Sequence, residues 1–169
     1  MNDESIVIAS ARRTPIGSFQ GSLSKIKATE LGSSVVKENL QETKLSPSQI
    51  DEVIMGCVLP AGLGQAPARQ VSIGANIPVN VGATTINKMC GSGMKAIMMG
   101  YDSILSGSNN IVISGGIESM SNAPYILPKV REGLRMGHDQ IKDHMFLDGL
   151  EDAYDEGKLM GSFAEDTAE

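Results

Sequence analysis

Apolar residues along this chain alternate between short continuous runs and longer stretches of helical spacing. Ser5-Ile6-Val7-Ile8-Ala9 is a continuous run, as expected of a strand covered on both faces, and Pro15 and Gly17 end it. From Ala28 to Glu42, Leu31, Val35, Val36 and Leu40 recur at helical spacing, with Thr29 near the start. Ser46-Pro47 reads as an N-cap followed by proline at the first helical position. Glu52 to Val58 is predicted as a second strand. Ala66 to Ala75 is predicted as a short helix ended by Gly74 and Pro78. Ala83 to Ile86 is a third strand, Gly93 to Leu105 a helix, and Asn110 to Ser114 a fourth strand before Gly115-Gly116. After Met120 the alternation stops. Ser121 to Pro128 is loop-like, and glycines recur at Gly133, Gly137 and Gly149.

Strand–helix alternation predicts an α/β fold with a mostly parallel sheet covered by helices. Right-handed crossovers bring the strand carboxyl ends to one edge, where open sheets of this kind bind ligands. In the helix predicted at 93–105, Met94, Ile97, Met98, Tyr101, Ile104 and Leu105 form a stripe, and Ala96 and Met99 widen it. A helix apolar on most sides is expected to be buried on most sides, so this stripe reads as core.

Cys90 lies between the third strand and that helix, in Ile86-Asn87-Lys88-Met89-Cys90-Gly91-Ser92-Gly93-Met94. Helix amino termini carry partial positive charge and unpaired N–H groups, the surroundings in which cysteines act as thiolate nucleophiles. Gly91 and Gly93 weaken a helix start unless backbone must come close to something. The competing reading is inert packing, the usual role of a free cysteine. Asn87 either orients the cysteine loop through its side chain or is a simple turn residue. Ser114-Gly115-Gly116 lets chain segments pass closely. Glu118 reads as a buried structural acceptor rather than a catalytic group.

Composition narrows the function. The chain has 169 residues, 41% of them hydrophobic, enough for a real core. Its two cysteines, Cys57 and Cys90, make neither a disulfide framework nor a metal site, and Cys57 reads as a buried strand residue. No apolar run approaches a membrane span. Met1-Asn2-Asp3-Glu4 is acidic and lacks a signal or transit pattern, which points to the cytoplasm. Residues 1–130 carry 10 Lys and Arg against 9 Asp and Glu, whereas residues 131–169 carry 4 against 11. No basic patch calls for nucleic acid, and the acidic end reads as a solvated face.

The run Asn87 to Ala96 resembles the nucleophile segment of biosynthetic thiolases. Arg12-Arg13-Thr14-Pro15-Ile16-Gly17 is similar to that family's opening loop, and Met55 to Gln70 to the segment after its second strand. Ser114 to Tyr125 is similar to the loop after its fourth strand. Asp148-Gly149-Leu150, Met160-Gly161 and Ala164-Glu165 resemble markers of its inserted loop domain. Two positions depart from the pattern. Ala66 stands where the family often has asparagine, and Leu159 where it often has histidine.

The resemblance implies a thiolase-like fold. Residues 1–121 would be its amino-terminal αβα core domain, and residues 122–169 the start of its loop domain. It also implies that the chain is the amino-terminal part of a thiolase subunit. The family's later asparagine, histidine and second-cysteine motifs are absent, and His138 and His144 lie in neither such motif. The helix at 93–105 would then expose apolar surface otherwise covered by the other half.

The implied activity is condensation of two acetyl-CoA to acetoacetyl-CoA and CoA, or the reverse thiolysis, through a Cys90 acyl-enzyme. The chain alone would be inactive. Acetyl-CoA and acetoacetyl-CoA are the implied partners, with coenzyme A thioester as substrate and no resident cofactor or metal. The full-length subunit would be a homotetramer. Leu150 and Met160 align with pocket-wall residues for the pantetheine arm, ordinary core being the alternative. Arg131 and Arg135 are the local candidates for the coenzyme A phosphates, solvent exposure explains them equally well, and no phosphate contact is assigned to them. Rival readings are a degradative thiolase of broader chain length and a non-catalytic redox-thiol or oligomerisation module.

Overall fold

A computed structural model describes residues 5–168. Three parallel strands form the central sheet: β1 (Glu52–Gly56), β2 (Gly82–Ile86) and β3 (Val112–Gly116), in the spatial order β2-β1-β3. Helix α1 (Ala28–Thr43) precedes them, α2 (Pro67–Gly74) joins β1 to β2, and α3 (Ser92–Leu105) joins β2 to β3. The chain moves one way across the sheet with α2 on one face and back with α3 on the other. Both crossovers therefore have the same hand, as a doubly wound sheet requires. Beyond β3 comes a two-stranded antiparallel ribbon, β4 (Tyr125–Ile126) with β5 (Lys142–Asp143), then a π-helical turn at Phe146–Leu150 and α4 (Met160–Ala168).

The alternation of β1 side chains divides the core. Val53, Met55 and Cys57 join Ala28, Val36, Ala68 and Val71 beneath α1 and α2. Each fully buried valine there contributes on the order of 1.5–3 kcal/mol. Of the opposite parity on β1, Ile54 is fully buried, and Gly56 lies directly beneath the start of α3, where contacts are closest. A Cβ on Gly56 would lie 2.5 Å from the Ser92 carbonyl carbon, and one on Gly100 would lie 2.6 Å from Ser114 Oγ. Helix α3 thus lies on the sheet through Gly93, Ala96 and Gly100. Before β1, Ser46 caps a 3-10 turn at Pro47–Gln49. The Gln49 side chain accepts from the Ser46 N–H at 2.8 Å, completing a capping box.

Two expectations are overturned. The run Ser5–Ala9 is not a strand. Val7 is 73% and Ile8 78% exposed, and no strand among the described residues lies alongside to satisfy a ladder. Instead the following residues are tethered to α1. Ser10 Oγ bonds to Asn39 Oδ1 at 2.8 Å and to Glu42, and Arg12 pairs with Glu42 at 2.6 Å. The stripe on α3 is not core either. Met94 is 71% and Leu105 67% exposed, with Ile97, Met98 and Tyr101 also open to solvent. The small side of the helix took the sheet contact because only there can backbones approach so closely. The apolar surface expected of an amino-terminal part is therefore present.

Candidate functional site

All three strands of the sheet end on one cleft. Gly56, Cys57, Val58 and Leu59 follow β1, Met89 and Cys90 follow β2, and Gly116, Ile117 and Glu118 follow β3. Met145, just before the π-helical turn, and Gly149 and Leu150 within it close the remaining side around a volume of about 370 Å³. The walls are mainly apolar. This is the carboxyl edge, beside the point where successive crossovers diverge to opposite faces.

Cys90 reaches this cleft on a shaped loop. Gly91 is the N-cap of α3, so the thiol stands just before the helix. Met89 takes φ 46°, a left-handed conformation costly for a bulky side chain. Two polar side chains hold it there. Asn87 Oδ1 accepts the Met89 N–H at 2.8 Å. Ser92 Oγ accepts the Lys88 N–H at 2.8 Å and donates to the Met89 carbonyl at 2.6 Å. Asn87 is therefore both turn residue and loop tether. Ser92 is buried and was not singled out from the sequence, where a serine two residues past the cysteine reads as an ordinary helix-start residue.

The two cysteines differ sharply. Cys90 is exposed to the cleft and Cys57 is buried. Burial, reinforced by the nearby Glu118 carboxylate, pushes the Cys57 thiol up to about 12. Cys57 is thus a neutral packing residue, as the sequence suggests.

Glu118 accepts the Val58 N–H at 2.8 Å and the Leu59 N–H at 3.2 Å, tying the exit of β1 to the exit of β3. It is the structural acceptor foreseen, but it is exposed rather than buried, since its carboxylate lies over the sheet edge. His144 is a group that sequence reasoning passed over. It is 5% exposed and sits between Asp148 Oδ2, 2.6 Å from Nδ1, and the Ala61 N–H, 3.4 Å from Nε2. Its spacing of four from Asp148, one helical turn, was the available signal.

Leu150 lines the cleft with Cys90, whereas Met160 starts α4, partly exposed, outside the cleft lining. Arg131 and Arg135 are exposed and lie outside it too. Among the described residues no cluster of His, Cys, Asp and Glu is arranged to hold a metal ion, and no helix is long and apolar enough to cross a membrane.

Comparison with known proteins bears on this arrangement. Residues 6–169 match the family described as thiolase, N-terminal domain. The chain belongs to the thiolase family. It is 51% identical over 166 residues to an acetyl-CoA acetyltransferase of Pseudomonas aeruginosa, covering 98% of this chain and 42% of that protein. It is 49% identical over 169 residues to an acetyl-CoA acetyltransferase of Schizosaccharomyces pombe, covering 100% and 42%. Among solved structures, the Acat5 thiolase of Ascaris suum, crystallised in complex with coenzyme A, matches with a TM-score of 0.87 and 46% identity. That match covers 92% of this chain and 40% of the other. The fold is therefore thiolase-like. The chain spans about two fifths of the length of these relatives.

Ala66 takes a left-handed backbone conformation, φ 48°, which asparagine tolerates better than alanine does.

Proposed function

We propose that this chain supplies the nucleophile-bearing part of an acetyl-CoA acetyltransferase, with Cys90 as the acyl acceptor. The observation that carries the reading is the exposed thiol of Cys90 on a strained, doubly tethered loop, in an apolar cleft where three parallel strands end. The names of the relatives, at about half identity over nearly the whole chain, support the same chemistry.

In the proposed reaction the Cys90 thiolate attacks the carbonyl carbon of acetyl-CoA, and the tetrahedral intermediate collapses with loss of the CoA thiolate. The Cys90 backbone N–H is a proposed donor to the oxyanion; one such donor is worth about 3–4 kcal/mol at the transition state. A base then removes an α-proton from a second acetyl-CoA. The carbanion attacks the acyl-enzyme, and acetoacetyl-CoA leaves with return of the Cys90 sulfur. Thiolysis is the reverse. The base, the group that activates Cys90 and the further oxyanion donors are assigned to sequence beyond this chain. A site of cooperating groups loses most of its rate when one is missing, so the chain alone is proposed to be inactive in turnover. Leu150, on the cleft wall, is proposed to contact the pantetheine arm; for Met160 the support is its alignment alone.

Residues 1–121 are proposed as the core domain and 122–169 as the start of the loop domain. The support is that the parallel sheet ends at Gly116 and an antiparallel ribbon opens at Tyr125. A cytoplasmic homotetramer without resident cofactor is the assembly proposed for the full-length subunit, on the strength of the resemblance.

Intact-mass analysis after mixing with acetyl-CoA tests the proposal, on this chain and on one extended through the rest of the subunit, with Cys90→Ser as control. An acetyl adduct on the extended protein that is absent from Cys90→Ser is the expected result. No adduct on the extended protein refutes the acyl-enzyme. A Cys90 that reacts with peroxide but never with thioesters favours the redox module instead.

A further inference from the structure

The loop leaving β1 is held in an unusual way. Of residues Val58, Leu59, Pro60 and Ala61, the three that own a backbone N–H each give it to a side chain from elsewhere in the sequence. Glu118 takes the first two and His144 takes the third. Leu59, between them, is buried, and its Cδ2 would lie 3.2 Å from a Cβ on Gly149. The β1 exit loop therefore touches the wall of the cleft at two places, through Leu59 against Gly149 and through Ala61 against His144.

His144 is built into that wall. Its own N–H donates to the Pro124 carbonyl at 3.1 Å, continuing from the β4–β5 ribbon. Met145 follows it directly, and Asp148 lies one turn on, beside Gly149 and Leu150; Met145, Gly149 and Leu150 all line the cleft. The partners settle the tautomer. The Ala61 N–H can only donate, so Nε2 is unprotonated and Nδ1–H donates to Asp148. One imidazole thus joins two elements that are distant in sequence, with both ring nitrogens used.

We propose that His144 is a positioning and specificity-determining residue: bridging Asp148 to Ala61, it fixes the Met145–Leu150 wall and so limits the length of the acyl group admitted beside Cys90. The acyl part rests on the function proposed above. The wall and its latch do not, because a small thiol reagent probes them without any thioester chemistry.

The test uses the chain itself and a series of alkyl methanethiosulfonates from methyl to hexyl. Each transfers its alkylthio group to the Cys90 thiolate, forming a mixed disulfide and expelling methanesulfinate. Intact mass follows the rate, with Cys90→Ser as the control for Cys57. The expected result is a steep fall in rate with reagent length, and a hexyl-to-methyl rate ratio about tenfold higher in His144→Ala. His144→Gln restores the fall, because its Oε1 replaces Nε2 as acceptor for Ala61.

Nitrogen-15 shifts of the wild-type imidazole should report the Nδ1–H tautomer, which needs no variant to fold. An Nε2–H tautomer, an unchanged ratio in His144→Ala, or a His144→Gln as permissive as alanine would each overturn the proposal. A steep length dependence that responds to His144, together with no acetyl adduct on the extended protein, would leave the latch standing and remove the acyl reading.

Discussion

Placing a methyl group on Gly56 tests how the cleft is assembled. The Cβ of Gly56→Ala would lie 2.5 Å from the Ser92 carbonyl carbon and 2.7 Å from the Gly93 nitrogen. Both are backbone atoms at the start of α3, and neither can rotate away. The helix must lift from β1, or β1 must shift within its ladders to β2 and β3. Overpacking of this kind costs about 1–3 kcal/mol, and rigid neighbours put the expectation near 3. For a chain of this size each kcal/mol moves Tm by about 2–4 °C, so the variant should melt about 6–12 °C lower.

The same movement displaces the cysteine loop, since only the N-cap Gly91 separates Cys90 from α3 and Ser92 holds Lys88 and Met89. Calorimetry read beside the rate of Cys90 alkylation measures both effects. Gly161→Ala is the matched control. A Cβ there meets nothing within 4 Å on exposed α4, so alanine should be neutral or stabilising by about 0.5–1 kcal/mol. A Gly56→Ala protein that melts within about 1 °C of the parent, with unaltered Cys90 reactivity, would refute the close-approach argument.

Ala66→Asn should stabilise the chain by about 0.5–1 kcal/mol in urea denaturation, because Ala66 is held at φ 48°; equal or lower stability would show that the left-handed backbone carries no cost there. Iodoacetamide at pH 8 should label Cys90 rapidly and leave Cys57 unlabelled until the chain unfolds, since burial keeps the Cys57 thiol protonated up to about 12; peptide mapping that finds Cys57 labelled first contradicts this. Backbone hydrogen bonds from Ile111 and then Asn110 hold the Asp51 carboxyl below its ordinary range. Its contribution is therefore present above the usual carboxylate range and is lost as pH falls through the lowered value. Urea titrations should find Asp51→Asn less stable than the parent at pH 7, by about 1 kcal/mol or less for so exposed a group, with the gap closing below about pH 4. A gap that widens in acid would reverse the sign of the argument.

Helices α1, α2 and α3 and strands β1, β2 and β3 were legible in the sequence to within a residue or two, because each is written in local spacing and local turn chemistry. The position of Cys90 at the sheet's carboxyl edge followed from the same alternation, since crossover geometry leaves loops after parallel strands nowhere else to go. Where the local pattern was ambiguous, tertiary context decided. The run Ser5–Ala9 has every strand propensity and no strand beside it, and a ladder is a property of pairs. The stripe on α3 is apolar on the face that meets solvent, because the closest packing to the sheet went to Gly93, Ala96 and Gly100.

The long-range polar ties could not be read from order along the chain. Glu118 closes on Val58 and Leu59, and His144 on Ala61 across 83 positions, and nothing local marks either pairing. Sequence by itself therefore determined which segments are helix or strand and which thiol stands at their edge, since those depend on neighbours in the chain. Only the tertiary structure decided which faces are covered and which walls are latched around that thiol, since those depend on neighbours in space.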